Sequence, residues 1–91
     1  MDAQTTLKRS EQVTHQIVAE EAILINLNTG TYFSLNKIGT EFWEMLDGQQ
    51  TIQQHAQTLA AKYNVEVAMV VSDLLELADK MVVDHLVESV R

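Results

Sequence analysis

The sequence predicts an α+β domain in which a three-stranded antiparallel β-meander precedes three α-helices. Three runs rich in β-branched and aromatic residues lie before Asn36, each bounded by a short polar connection. Helical spacing of apolar residues begins after Asn36 and continues towards the C-terminus. No internal repeat and no Pro/Gly-rich linker interrupts the chain, so its 91 residues predict one domain with a modest core.

The strands follow a polar N-terminal segment. Residues 1–12 have little apolar content and no periodicity, so we expect a flexible tail followed by a folded domain over residues 13–91. The runs "VTHQIV" and "ILINL", separated by "AEEA", predict a β-hairpin. Gly30 in "NTG" supplies the positive φ that a tight turn with a bulge requires, and "TYFSL" follows as the third strand.

Capping residues mark the first two predicted helices. Asn36 is an N-cap candidate for the first helix, and Gly48 is suited to its left-handed C-cap. Thr51 caps the second helix, whose narrow apolar stripe is typical of a surface helix. Asn64 ends that stripe. The inward positions predicted for the first helix are Ile38, Phe42, Met45 and Leu46, with Trp43 at the edge of that face.

The third predicted helix, from about Glu66 to Lys80, has an unusually wide apolar face. Its apolar residues are Val67, Val70, Val71, Leu74, Leu75, Leu77 and Ala78. They span roughly 160° of the circumference, more than the ~100° stripe that packs one face of a surface helix. The final segment, "MVVDHLVESV", keeps helical spacing on a rotated face, so we expect a bend or break between Met81 and Asp84. The whole order resembles a winged helix with its sheet placed first.

Charge and composition disfavour several classes of protein. Thirteen acidic residues against six basic ones give a net charge of -7, which argues against nucleic acid and membrane surfaces as partners. The sequence has no cysteine and no apolar run typical of a signal peptide or a membrane span. We therefore expect a cytoplasmic protein.

Candidate catalytic and metal-binding residues are scattered. His15, His55 and His85 lie on three different predicted elements, and none shows the i,i+4 spacing of a helical metal pair. No serine has a His or Asp at motif spacing, and the three glycines form no phosphate-binding loop. The sequence predicts no catalytic residue, no metal site and no cofactor.

A small winged-helix transcriptional regulator is the alternative function. Such a protein should direct Lys and Arg from its third helix towards phosphates. Here Lys80 is the basic residue on that helix, and four acidic residues share its polar face. The charge pattern therefore argues against this alternative.

Two features favour peptide binding. The strand "TYFSL" ends the meander, so at a sheet edge its outer amides and carbonyls could pair with an added strand. The surplus apolar flank of the third helix could line a groove beside that edge. An alternative stays open at this point, in which Tyr32, Phe33 and Leu35 belong to the core and the tail or a dimer partner covers the edge.

The run "ILINLNTGTYFSLNKIGTEFWEMLDG", followed by "TIQQHAQTLAAKYNVE" and "VVSDLLELADK", resembles the PqqD-like proteins, the peptide recognition elements of ribosomal peptide maturation systems. The resemblance covers about Val13 to Leu86. It depends most on the "TGTYFSLN" junction, Trp43, the Asp47-Gly48 pair and "KYNV", taken in their order and spacing. A glycine that commonly follows the third helix in the family is replaced here by "DKMVVDHL".

The resemblance implies that this chain binds the leader of a precursor peptide as an added β-strand and does no chemistry itself. It further implies a separate maturation enzyme as a partner, such as a radical SAM enzyme, a leader peptidase or a cyclase. A homodimer formed through the open strand is a further alternative. The implied peptide-binding residues are Thr31, Tyr32, Phe33, Ser34 and Leu35 on the strand, and Val67, Val71, Leu74, Leu75 and Ala78 on the third helix.

Overall fold

A computed structural model describes residues 1–90 and confirms the α+β architecture with three helices after a strand-rich N-terminal part. The strands are β1 (Thr6–Arg9), β2 (Val13–Val18), β3 (Glu21–Asn26), β4 (Tyr32–Ser34) and β5 (Val87–Val90). The helices are α1 (Lys37–Met45), α2 (Ile52–Tyr63) and α3 (Val67–Val83).

The predicted meander forms an antiparallel sheet in the order β2-β3-β4. A two-residue turn, Ala19-Glu20, joins β2 to β3, and both residues have positive φ, as a type I′ hairpin requires. Gly30 has the expected positive φ of 76° between β3 and β4. Ala22 and Leu24 of β3 are buried on the inner face, so the register directs alternate side chains into the core.

The predicted caps hold the helices in place. The Asn36 side chain accepts a hydrogen bond from the Gly39 amide at 2.8 Å, and Thr51 forms a capping box with Gln54. Asn64 ends α2 in the left-handed conformation. Gly48 has a positive φ of 73° but lies beyond the C-cap of α1, which is Leu46. The core residues with the largest fully buried side chains are Trp43, Phe42, Leu7, Leu24, Ile52, Leu74, Met81 and Leu86.

The N-terminal segment contains a strand, so the expectation of a flexible tail over residues 1–12 is wrong for residues 6–9. β1 pairs antiparallel with β5, and the Leu7 side chain is only 1% exposed. On the other side of β1, the amide of Gly48 donates to the Leu7 carbonyl at 3.2 Å and the amide of Ile52 donates to the Thr5 carbonyl at 3.0 Å. Burial of Leu7 and backbone pairing on both sides offset the entropy lost on ordering the segment.

The C-terminal segment breaks where the rotated apolar face predicts a break, but the continuation is not helical. α3 ends at Val83, and His85 adopts a positive φ of 56° before β5 begins. Leu86, one of the residues at helical spacing in the sequence, is instead buried just before β5, and Val87 is buried as the first residue of that strand. The last residue of the predicted domain, Arg91, lies outside the described residues. Between residues 1 and 90, no helix is long and apolar enough to span a bilayer.

Candidate functional site

The outer edge of β4 presents unpaired backbone groups. Thr31 and Leu35 pair towards β3, since the Asn26 amide donates to the Thr31 carbonyl at 3.0 Å and the Leu35 amide donates to the Ala22 carbonyl at 2.8 Å. Antiparallel hydrogen bonding alternates along a strand, so the N–H and C=O groups of Tyr32 and Ser34 point away from β3. Because β4 is the last strand of its sheet, these groups can pair with an added strand.

A buried threonine fixes the junction between β4 and α1. The Thr40 hydroxyl accepts a hydrogen bond from the Ala22 amide at 2.8 Å and donates to the Leu35 carbonyl at 3.5 Å. This side chain, which is 2% exposed, therefore bridges the Ala22 amide of β3 and the Leu35 carbonyl where the chain leaves the sheet. The sharp transition from strand to helix therefore sets the end of the open edge.

A groove runs between β4 and α3, and we refer to its two lobes as the first lobe and the second lobe of the β4–α3 groove. The first lobe has a volume of about 430 Å³ and lies against the β4–α1 junction; it is lined by Phe33, Ser34, Leu35, Asn36, Ile38, Gly39, Asp73, Leu74, Leu77 and Lys80. The second lobe, of about 380 Å³, lies towards the end of α3 and is lined by Phe33, Asp79, Lys80, Val83 and Asp84. Phe33 and Lys80 belong to both lobes, so the lobes are continuous.

The structure brings together only part of the predicted peptide-binding set. Phe33, Ser34, Leu35 and Leu74 line the groove. Tyr32 is the first residue of β4 and Thr31 directly precedes it, but neither residue lines a lobe. Ala78 is fully buried, and the remaining predicted residues, Val67, Val71 and Leu75, are partly buried against the core and lie outside both lobes.

The groove lies on the opposite flank of α3 from the one that the sequence suggested. With about 100° per residue, Leu75 lies about 100° to one side of Leu74, whereas Asp73 and Leu77 lie on the other side. Asp73 and Leu77 line the first lobe, and Leu75 does not. Val71 and Leu75, which the resemblance implies for the groove wall, thus lie outside both lobes, and the α3 residues that line the first lobe are Asp73, Leu74, Leu77 and Lys80.

Sequence reasoning missed several groove residues. Leu77 belongs to the wide apolar face but not to the predicted peptide-binding set, and Asp73 and Asp79 are two of the four acidic residues on the polar face of the third predicted helix. Gly39 was also missed: a Cβ there would lie 3.3 Å from the Leu77 side chain and 3.2 Å from the capping oxygen of Asn36. A small residue at the fourth position after "SL" was the available signal, because close packing of a helix start against α3 requires it.

Asn26 connects the β3–β4 turn to the end of α3, next to the second lobe. This side chain is 1% exposed, and its amide donates to the backbone carbonyls of Asp84 and His85, each at 3.3 Å. Its carbonyl oxygen accepts from the amides of Asn28 at 2.9 Å and Thr29 at 3.1 Å. All four hydrogen-bonding positions of the carboxamide are used, so Asn26 sets the position of the α3 terminus relative to the turn before β4.

The histidines lie outside the groove. His15 accepts a hydrogen bond from the Trp43 indole at 3.3 Å, and His85 is exposed in the turn after α3. His55 is 1% exposed, stacks edge-on with Phe42, and has no hydrogen-bond partner for either ring nitrogen. Burial lowers the pKa of His55 below its ordinary value of 6.5, with the nearby Asp47 carboxylate acting in the opposite direction. Among the described residues, no group of three or more His, Asp or Glu side chains is placed to hold a metal ion.

Comparisons with known proteins point to one family. The family model described as "Coenzyme PQQ synthesis protein D (PqqD)" matches residues 21–87, from the start of β3 to the first residue of β5. The solved structure described as "TbiB1 in Complex with the TbiA(beta) Leader Peptide" superposes with a TM-score of 0.80 at 28% sequence identity. That superposition covers 89% of this chain and 94% of the other chain. A search of curated protein sequences finds no significant match.

Proposed function

This chain belongs to the PqqD family, and from that premise we propose that it is a non-catalytic module that binds the leader of a ribosomally made precursor peptide. The leader adds as a strand to the outer edge of β4 and places alternate side chains in the β4–α3 groove. The observation that carries this proposal is the unpaired backbone of Tyr32 and Ser34 directly beside an apolar groove. Backbone pairing provides affinity with few sequence requirements, and the groove selects the side chains.

The solved relative supports the same use of this fold. TbiB1 is described in complex with a leader peptide, and its fold matches nearly the whole of this chain. The first lobe offers the apolar surface that such a ligand needs, since Phe33, Leu74 and Leu77 contribute to one concave wall. Burying one apolar leader side chain there contributes about 1.5–3 kcal/mol, which adds to the backbone hydrogen bonds.

The chemistry belongs to a partner in this proposal. Neither lobe contains a histidine or a nucleophile–base pair, and the one serine of the groove, Ser34, has no such neighbour. A separate maturation enzyme, such as a radical SAM enzyme, a leader peptidase or a cyclase, therefore modifies the precursor that this domain presents. Because the precursor is ribosomally made, we place this encounter in the cytoplasm.

Hydrogen exchange with the cognate leader peptide tests the proposal. The amides of Tyr32 and Ser34 should gain protection when the peptide is added, because both become donors to the added strand. Protection confined to α2 would contradict strand addition at β4.

A pair of variants at Ser34 tests the same contact. Ser34→Pro removes an outward-facing donor and should weaken leader binding at least tenfold, whereas Ser34→Ala retains the amide and should bind normally. Ser34 does not donate to β3, so both variants should retain the sheet, as circular dichroism can verify. Equal leader affinity for the two variants, measured by calorimetry, would argue against pairing at this edge.

A further inference from the structure

The second lobe of the β4–α3 groove is acidic. The carboxylates of Asp79 and Asp84 line it together with one cation, Lys80. The Lys80 ammonium lies 3.9 Å from the Glu76 carboxylate one turn earlier, so its charge is already partly compensated. Asp73 adds a third carboxylate at the first lobe. The groove therefore presents an excess of negative charge on one side of an apolar floor.

The floor of the second lobe suits a side chain that is both long and apolar along its stem. Phe33 closes the lobe on the β4 side, and Val83, 74% exposed, lies on the α3 side. Lys and Arg combine an apolar stem with a cationic head, which allows the stem to cover Phe33 and Val83 while the head reaches the carboxylates. A short polar or acidic side chain could neither cover the apolar floor nor pair with the carboxylates.

The register of an added strand relates the two lobes. Side chains of a strand alternate between faces, so residues that enter the groove are two positions apart in the leader. β4 runs from the second lobe towards the first, since Ser34 and Leu35 line only the first lobe. A leader that pairs antiparallel to β4 therefore passes the first lobe before the second as it runs towards its own C-terminus.

From this geometry we infer that the leader pairs antiparallel to β4 and carries an apolar residue in the first lobe and a Lys or Arg two or four positions later, over Asp79 and Asp84. The inference rests on the proposed leader-binding function and specifies the chemistry of its substrate. The cation also complements the charge of the whole chain, which is -7, and this charge raises the rate of encounter with basic peptides at low salt.

Selection from a displayed library of random 16-residue peptides tests the inference without knowledge of the natural leader. The wild-type domain should enrich peptides with Lys or Arg two or four positions after an apolar residue. The double variant Asp79→Asn/Asp84→Asn should lose that basic preference and keep the apolar one. Glu11→Gln/Glu21→Gln is the matched control, because it changes the net charge equally at exposed residues outside the groove and should retain the preference.

Affinities measured for individual selected peptides show how much each carboxylate contributes to binding. Removing each carboxylate should weaken a selected basic peptide about two- to fivefold at low salt, the range of exposed ion pairs, and the difference should shrink at about 1 M salt. No basic enrichment, or the same enrichment with Asp79→Asn/Asp84→Asn, overturns the inference. If selected peptides are apolar, lack basic residues and lose affinity with Ser34→Pro, leader binding stands and only the inferred chemistry fails. Selected peptides whose affinity is unchanged by Ser34→Pro would contradict the proposed function as well.

Discussion

Replacing Asn26 with aspartate removes both donors that connect the β3–β4 turn to the end of α3 while leaving the shape of the side chain unchanged. The carboxylate can still accept from the Asn28 and Thr29 amides, but its other oxygen would face the carbonyls of Asp84 and His85. Two hydrogen bonds of about 0.5–1.5 kcal/mol each are lost, and a charge is placed against two carbonyl oxygens at a residue only 1% exposed. The expected loss of stability is about 2–4 kcal/mol.

Comparing Asn26→Asp with Asn26→Ala, by denaturant melts and hydrogen exchange, separates the bonds that the Asn26 side chain donates from those that it accepts. Asn26→Ala also removes the acceptor, so only that variant should speed exchange of the Asn28 and Thr29 amides. Burial should raise the folded-state pKa of the new carboxyl above about 3.9. The folded protein then binds the proton more tightly than the unfolded chain, so the stability deficit of Asn26→Asp should shrink as pH falls through that folded-state pKa.

Leader affinity provides the functional measurement for Asn26. Both variants should bind leader more weakly than Asn28→Ala, an exposed neighbour whose side chain does not join the network, because the end of α3 is no longer held beside β4. A loss of stability below about 0.5 kcal/mol for Asn26→Asp, indistinguishable from an ordinary surface change, would refute the reasoning. The same conclusion would follow if its affinity for leader matched that of Asn28→Ala.

Three further predictions concern the core and the groove flank. Trp43→Ala should lose about 3–5 kcal/mol in a denaturant melt, because the indole is fully buried; a variant of normal melting temperature would show that the ring is not core. Leu77→Lys should weaken leader binding in calorimetry, because it places a charge in the first lobe. Leu75→Lys, outside the groove, should lower stability more than leader affinity, because Leu75 packs against the core. A larger loss of affinity for Leu75→Lys than for Leu77→Lys would indicate that the leader binds on the Leu75 side of α3. His55 has a lowered folded-state pKa, so its contribution to stability is complete above 6.5 and is lost as pH falls from there towards the folded pKa. His55→Leu should flatten that decline in melts at pH 7 and pH 5, and an unchanged slope would contradict it.

The wide apolar face of α3 shows that hydrophobic periodicity predicts a helix face but not which of its flanks lines the groove. Spacing fixes the angles between Leu74, Leu75 and Leu77 around the helix axis, but it does not say which flank meets β4. That choice depends on how α3 packs against the rest of the domain, and Gly39 permits the close approach of Leu77 to the start of α1. The sequence thus predicted the groove between the third helix and the open strand, and the packing decided which residues line it.

Local interactions explain what the sequence determined by itself. The Gly30 turn, the Asn36 cap and the Thr51 capping box each join residues a few positions apart, so turn and capping preferences predict them. The Ala19-Glu20 turn is different, because neither residue favours the positive φ that it adopts. The elements from β3 to α3 are also predicted from local patterns, and they lie within residues 21–87, which the PqqD family model matches.

Tertiary structure decided the contacts between distant parts of the chain. Leu7 lies in a segment too polar to predict as a strand, and it becomes ordered because β5, from the opposite end of the chain, pairs with β1 and encloses it. His55 is a polar residue that is fully buried, and Asn26, which lies in a predicted strand, also holds the end of α3 through its side-chain hydrogen bonds. Pairings across such separations depend on burial and hydrogen-bond partners supplied by the assembled core, which no local pattern of residues contains.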